Sequence, residues 1–111
     1  MRSIDNSHEF RTTDGEPPIL HLTGKIIGLK SEKLKKEMQN LSESNPEGFI
    51  LDLSEALLLD SSALGVIMLI AQKLRPIGGK LVLLNPQPNV RHVFQVTRLD
   101  TVLEIRREMP M

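Results

Sequence analysis

Apolar residues along this 111-residue chain fall into short bounded runs and longer stretches with helical spacing. Ile19-Leu20-His21-Leu22-Thr23, bounded by Pro18 and Gly24, has the pattern of a buried strand. Before it, His8 to Thr13 reads as an edge strand, ended by the turn dipeptide Asp14-Gly15 and by Pro17-Pro18, which cannot join a central ladder. The polar residues up to about Ser7 are expected to fray. From Ser31, a candidate N-cap, Leu34, Met38 and Leu41 recur at helical spacing until Asn45-Pro46 stops the pattern. Phe49 to Leu53 predicts a strand buried on both faces, as in a parallel sheet covered by helices, and Ser54 to Leu59 leads out of it. Asp60 is placed to cap a helix from about Ser61 to Arg75, ended by Pro76 and Gly78-Gly79. Between Ala63 and Ala71 its apolar residues encircle the helix, which must then be covered on several sides. Lys80 to Leu84 is another buried strand. Pro88 opens a short helix carrying Val90, Val93 and Phe94 inward, and Val102 to Ile105 forms a last short strand.

Strands and helices therefore alternate from Ile19 onward, and consecutive strand–helix–strand units impose parallel pairing with right-handed crossovers. The chain reads as one α/β domain, a length too short for two. With 40% hydrophobic and 25% charged residues it is expected to fold as a soluble globule. Its 14 basic and 14 acidic side chains cancel, which argues against nucleic-acid binding, since that draws affinity from clustered Lys and Arg. The absence of cysteine excludes disulfides, thiolate metal sites and thiol nucleophiles. The first residues, Met1-Arg2-Ser3-Ile4-Asp5, lack the apolar core of a secretory signal, and the longest apolar run, Ala63 to Ala71, is too short to span a bilayer. A cytoplasmic protein with no direct membrane insertion is expected.

Candidate catalytic chemistry is thin. His8, His21 and His92 share no metal-ligand spacing, so no metal is expected; His21 reads as a half-buried strand residue and His92 as solvent-facing. Gly78-Gly79-Lys80 lacks the phosphate-loop spacing and reads as a helix stop. Asp52 and Asp60 are conceivable paired carboxylates, but the sequence sets no base or nucleophile beside them. The lysines between Lys30 and Lys36 alternate with Glu32 and Glu37 at i,i+4 spacing, the pattern of a self-paired solvated face. Asn40-Leu41-Ser42 matches a glycosylation acceptor only formally. No enzyme and no cofactor are expected.

Leu57-Leu58-Leu59-Asp60-Ser61-Ser62-Ala63-Leu64-Gly65 is different, because two hydroxyls open a helix directly after a strand and an acidic cap. In the simpler reading, Asp60, Ser61 and Ser62 merely start the helix. In the other, the same unpaired amides and the positive end of the helix dipole suit a phosphate carried by a serine. Three successive leucines in an extended connection exceed what one sheet face buries, so Leu57 or Leu58 is expected to be partly exposed.

From about Ile19 to Ile105 the chain resembles the STAS domain family, particularly its stand-alone bacterial anti-sigma factor antagonists. Leu51-Asp52-Leu53-Ser54 leading into Asp60-Ser61-Ser62-Ala63-Leu64-Gly65 carries most of the resemblance. Gly78-Gly79-Lys80-Leu81-Val82-Leu83 and Val93-Phe94 through Leu99-Asp100 follow in the family's order. The resemblance implies a single STAS-like domain over residues 1–111, with a mixed, mostly parallel sheet of about five strands and three to four helices packed against it. It implies that Ser62 is a phosphoacceptor and that Leu57, Leu58, Asp60, Ser61, Ala63 and Leu64 form the helix cap and partner-binding surface. The implied partners are an anti-sigma factor that is also a serine kinase of the histidine-kinase-like ATPase type, and a serine phosphatase. The unphosphorylated protein would bind the former and free the sigma factor. The alternative within the family is a non-switching subunit docked on the ATPase of a lipid-transport ABC complex. Two departures stand out. Ala63 occupies a usual glycine, and Gly24-Lys25-Ile26-Ile27 replaces the usual Gly-Glu-Leu-Asp, putting Ile27 where an acidic residue is common.

Overall fold

The computed structural model describes residues 10–107. Five strands form one sheet in the order β1-β2-β3-β4-β5: Phe10–Thr13, Ile19–Ile26, Gly48–Leu59, Lys80–Leu84 and Glu104–Arg106. β1 runs antiparallel to β2, and the other three pairings are parallel. Three helices make the crossovers: α1 (Leu29–Ser44), α2 (Ser61–Leu74) and α3 (Pro88–Val96). The expected α/β class and mixed, mostly parallel sheet are present. The expected frayed start, up to Ser7, and His8 of the first strand lie outside the described residues.

Each crossover steps to the next strand in the same direction, and right-handed connections of that kind place every helix on one face of the sheet. The burial pattern follows. Leu20 and Leu22 of β2, Leu51 and Leu53 of β3, and Leu81 and Leu83 of β4 are buried in one cluster with residues of all three helices. The alternate residues Ile19, His21, Ile50, Asp52 and Leu84 are only half-buried. The expectation that Phe49 to Leu53 is buried on both faces is thus corrected: one face is covered and the other is open, although the run is apolar enough for either.

α2 is the centre of the covered layer. Ala63, Val66, Ile67, Ile70, Ala71 and Leu74 are buried along it at spacings of three and four, each large side chain adding about 1.5–3 kcal/mol relative to exposure. α1 packs beside it through Leu34 and Met38, with Leu41 partly buried. The stop after α2 is as expected, with Gly78 left-handed at φ 82°. α3 sends Val90 and Phe94 fully inward, whereas Val93 is half-buried.

Several boundaries differ from the sequence reading. α1 begins at Leu29 after Gly28, so Ser31 is not the N-cap; it lies in the first turn, 1% exposed, turned toward a neighbouring helix. β3 continues through the segment expected to lead out of it and reaches Leu59, pairing its second half with the end of β2 alone. The last strand is Glu104–Arg106 rather than Val102 to Ile105, because a 3-10 turn over Leu99–Thr101 delays its start.

Where β3 begins, Gly48 has φ 112° and its Cα faces the backbone of Lys80 on β4, leaving no room for a methyl group. A methyl group added at Gly65, on the exposed side of α2, would meet no other side chain among the described residues. Gly48→Ala is therefore expected to destabilise the domain by at least about 2 kcal/mol. Gly65→Ala should stabilise it by about 0.5–1 kcal/mol. Parallel thermal and denaturant melts check the pair, and equal midpoints would contradict the close approach of β3 and β4.

Candidate functional site

The residues singled out by the sequence converge at the carboxyl ends of β2 and β3. Asp60 leaves β3 in an extended conformation and caps α2, its Oδ1 accepting the Ala63 N–H at 2.9 Å. The same oxygen accepts the Ser31 hydroxyl at 3.1 Å, and Oδ2 accepts the Gly28 N–H at 3.0 Å. Its own N–H donates to the Ile26 carbonyl at 3.3 Å. One residue therefore joins the start of α2 and the start of α1 through its carboxylate and the end of β2 through its backbone. Hydrogen bonds from the Ala63 and Gly28 amides, with a smaller one from Ser31, outweigh desolvation and hold its pKa below the ordinary 3.8.

Ser61 and Ser62, the first residues of α2, are both exposed. Leu64 is half-buried. Ala63 is fully buried, which corrects its expected place on the outer surface: its methyl group lies in the core and only its amide serves the site.

Leu57 and Leu58 are 50% and 42% exposed, and Leu59 is 5% exposed. Simple alternation does not produce two exposed neighbours. Gly24 pairs with Ala56 and Lys25 with Leu58, so Leu57 is an extra residue on β3, a bulge that resets which way the chain faces. A second extra residue lies between Asp52 and Glu55. Beyond Asp52, where β4 no longer pairs with β3, side chains from the start of α3 take over: Gln87 Nε2 donates to the Ser54 carbonyl at 2.8 Å and Asn89 Nδ2 to that of Leu57 at 2.7 Å. Ile27 and Leu29, 43% and 75% exposed, flank Gly28 on the other side. These two residues with Leu57 and Leu58 make an apolar rim beside two exposed hydroxyls and an ionised carboxylate.

Gly28, Ser31, Gln87, Asn89 and Leu29 were not legible as parts of this site. Their only local signals are a glycine before a helix and polar residues in first turns, and those fit ordinary helix starts equally well. Asp52 is not near Asp60. It lies eight residues back along β3, about 25 Å at strand rise, and accepts from His21 instead. His92 is exposed, and among the described residues no group of three or more His, Cys, Asp or Glu is arranged to hold a metal. No helix of the structure is long and apolar enough to cross a membrane. Lys30 Nζ donates to the Thr23 carbonyl at 2.8 Å, pinning the β2–α1 connection rather than joining a solvated row.

Because the Asp60 pKa is lower in the folded protein than in the unfolded chain, its ionised form favours folding above about pH 4. That contribution is lost as pH falls through the folded value. Asp60→Asn is expected to lower the melting temperature at pH 7, with the gap from the unaltered protein shrinking below pH 4. Melts across pH 2.5–8 check this, and a gap independent of pH would show that charge is not what Asp60 supplies.

Comparison with known proteins gives a consistent result. The family model described as STAS domain matches residues 9–109. A protein of Bordetella bronchiseptica named as an anti-sigma factor antagonist, BtrV, is 32% identical over 84 residues, covering 76% of this chain and 72% of the relative. The crystal structure of a Thermotoga maritima protein described as an anti-sigma factor antagonist superposes with a TM-score of 0.81 at 25% identity, covering 92% and 88% of the two chains. The anti-sigma factor antagonist SpoIIAA in its unphosphorylated form gives 0.78 at 21% identity over 90% and 88%. The phosphorylated form of SpoIIAA, a Bacillus cell fate determinant, gives 0.72 at 21% over 90% and 91%.

Proposed function

The chain belongs to the STAS domain family, and from that premise we propose that it is an anti-sigma factor antagonist switched by phosphorylation of Ser62. The observation that carries this reading is the exposed Ser62 in the first turn of α2, beside the Asp60 carboxylate and within reach of an apolar rim. Ile27, Leu57 and Leu58 supply the apolar area a partner covers, and the exposed Ser61 and Ser62 hydroxyls supply polar anchoring. The partner is an anti-sigma factor that is also a serine kinase with a histidine-kinase-like ATPase domain, and a serine phosphatase resets the cycle. The antagonist acts by binding, not by catalysing a reaction.

The switch is electrostatic. A phosphoserine carries about −1.5 to −2 charges, which the amino end of α2 accommodates without unfolding the domain. SpoIIAA, whose fold this chain shares, was solved both with and without phosphate, which supports a switch within one fold. In the complex the dianion must lose water beside the ionised Asp60, and like charges forced together in an interface cost several kcal/mol. A penalty of about 3 kcal/mol lowers affinity about a hundredfold.

The two departures from the family pattern bear on docking in different ways. The Ala63 methyl group lies in the core and does not meet a partner. Ile27, exposed next to Gly28, makes that part of the rim apolar where relatives are usually acidic, so charge pairing there is replaced by area burial.

Incubation with the cognate kinase and ATP, followed by phosphopeptide mapping, is expected to find phosphate on Ser62; phosphate on Ser61 alone would overturn the assignment. Ser62→Ala should cost well under about 1 kcal/mol in stability, because Asp60 supplies the cap, and should lock the binding state. In calorimetric titrations the phosphorylated protein is expected to bind the kinase about a hundredfold more weakly, with an unchanged melting temperature. Equal affinities would remove the switch. Capture of a transporter ATPase instead of a kinase would favour the alternative role in the family.

A further inference from the structure

The open face of the sheet carries a chain of three polar side chains far from Asp60. Thr13 Oγ1 is 2.7 Å from His21 Nε2, and His21 Nδ1 is 2.7 Å from Asp52 Oδ2. Strand register builds the chain. Arg11 pairs with His21, which puts Thr13, two residues on, diagonal to the ring on the same face, and His21 pairs directly with Asp52 across the parallel β2–β3 ladder.

The protonation pattern follows from the acceptor at one end. Burial opposes charge on Asp52, but hydrogen bonds from the Ser54 amide, at 3.0 Å, and from His21 prevail and hold its pKa below the ordinary value. An ionised carboxylate only accepts, so the His21 Nδ1 carries a proton and donates it. In the neutral ring Nε2 is then a lone pair, aimed at the Thr13 hydroxyl, which donates to it. The His21 and Asp52 side chains are only 18% and 19% exposed, so the pair is held in place by its surroundings. A hydroxyl, a base in contact with it and a carboxylate fixing the base's tautomer form the arrangement that activates serine and threonine nucleophiles.

We propose that Thr13 is a nucleophilic acyl-acceptor hydroxyl on the open sheet face, with His21 as its base and Asp52 as the positioning residue. The class of donor is an activated carboxylic ester with a short apolar acyl group. Thr13 Oγ1 forms a bond to the carbonyl carbon and the bond from that carbon to the leaving oxygen breaks, that oxygen departing with the electron pair. The hydroxyl proton passes to His21 Nε2, and Asp52 stabilises the resulting imidazolium. The apolar preference comes from the same row of the sheet: Thr13 pairs with Ile19, Ile19 with Ile50, and Ile50 with Val82. Ile50 and Val82 also line a cleft of about 680 Å³ together with Pro17, Pro18, Glu47, Lys80 and Arg106; Thr13, His21 and Asp52 are not among its lining residues. Arg11 on β1 is the charged group next along this face beside His21.

The test uses the full chain with p-nitrophenyl acetate and p-nitrophenyl butyrate. A burst of one phenolate per chain is expected, with the acetyl group mapped to Thr13. Thr13→Val, which keeps shape and strand preference, should abolish the burst, and His21→Gln should slow it at least about a hundredfold. Asp52→Asn should slow it and alter its pH profile, because an amide beside Nδ1 permits the wrong tautomer. Thermal melts of each variant separate reactivity from folding, and Lys35→Ala, at an exposed position of α1 outside both regions, should react as the unaltered protein does. Acetyl found on His21 or on lysines with Thr13 unmodified, or a burst unchanged in Thr13→Val, would overturn the proposal.

Discussion

Every crossover from β2 to β5 steps in the same direction, and the fixed hand of such connections leaves the helices a single face of the sheet on which to pack. That constraint organises the rest of the molecule. The covered face takes the leucines of β2, β3 and β4 and the inward residues of three helices into one cluster. The open face keeps residues that a second helical layer would have excluded, among them a histidine hydrogen-bonded to an aspartate. Because parallel strands all end at the same edge, the connections from β2 to α1 and from β3 to α2 emerge side by side there.

Asp60 uses that adjacency. A single N-cap satisfies one or two amides of its own helix, but here the carboxylate also takes the Gly28 amide and the Ser31 hydroxyl from the neighbouring connection. The two helix starts are thereby held in a fixed relation, and the exposed serines of α2 are presented on a rigid base. The bulges in β3 act on the same region from the other side. Each extra residue turns the strand, and the bulge at Leu57 puts that side chain outward without unpairing Leu58 or exposing Leu59. Gln87 and Asn89 cover carbonyls that the shorter β4 leaves without a ladder partner.

The two regions of interest lie at opposite ends of β2 and differ in kind. Around Ser62 the features are apolar area and exposed hydroxyls beside the Asp60 carboxylate, with the ~680 Å³ cleft at the far end of the strands; these suit the partner-binding role proposed for this surface. Around Thr13 the features are directional hydrogen bonds between groups able to exchange a proton. The proposed anti-sigma factor antagonism uses the first region and makes no use of the second.

The amino-acid sequence by itself determined the alternation of strands and helices, the Asp60 cap, the stop at Gly78 and the inward stripe of α2, because each follows from local spacing, capping or turn chemistry. It also singled out Ser62 and the leucines before it, since hydroxyls behind an acidic cap and three successive leucines are visible without coordinates. What it left open depends on distant residues meeting. An apolar run such as Phe49 to Leu53 suits a strand covered on one face or on two, and only the direction of the crossovers decides between them. Ser31 reads locally as a cap, and only the arrival of Asp60 from residues far along the chain turns it into a partner of another helix. The bulge at Leu57 is a mismatch of length between two strands, so neither strand alone contains it. His21 and Asp52 are 31 positions apart, and strand register, a property of the folded sheet, is what brings them together.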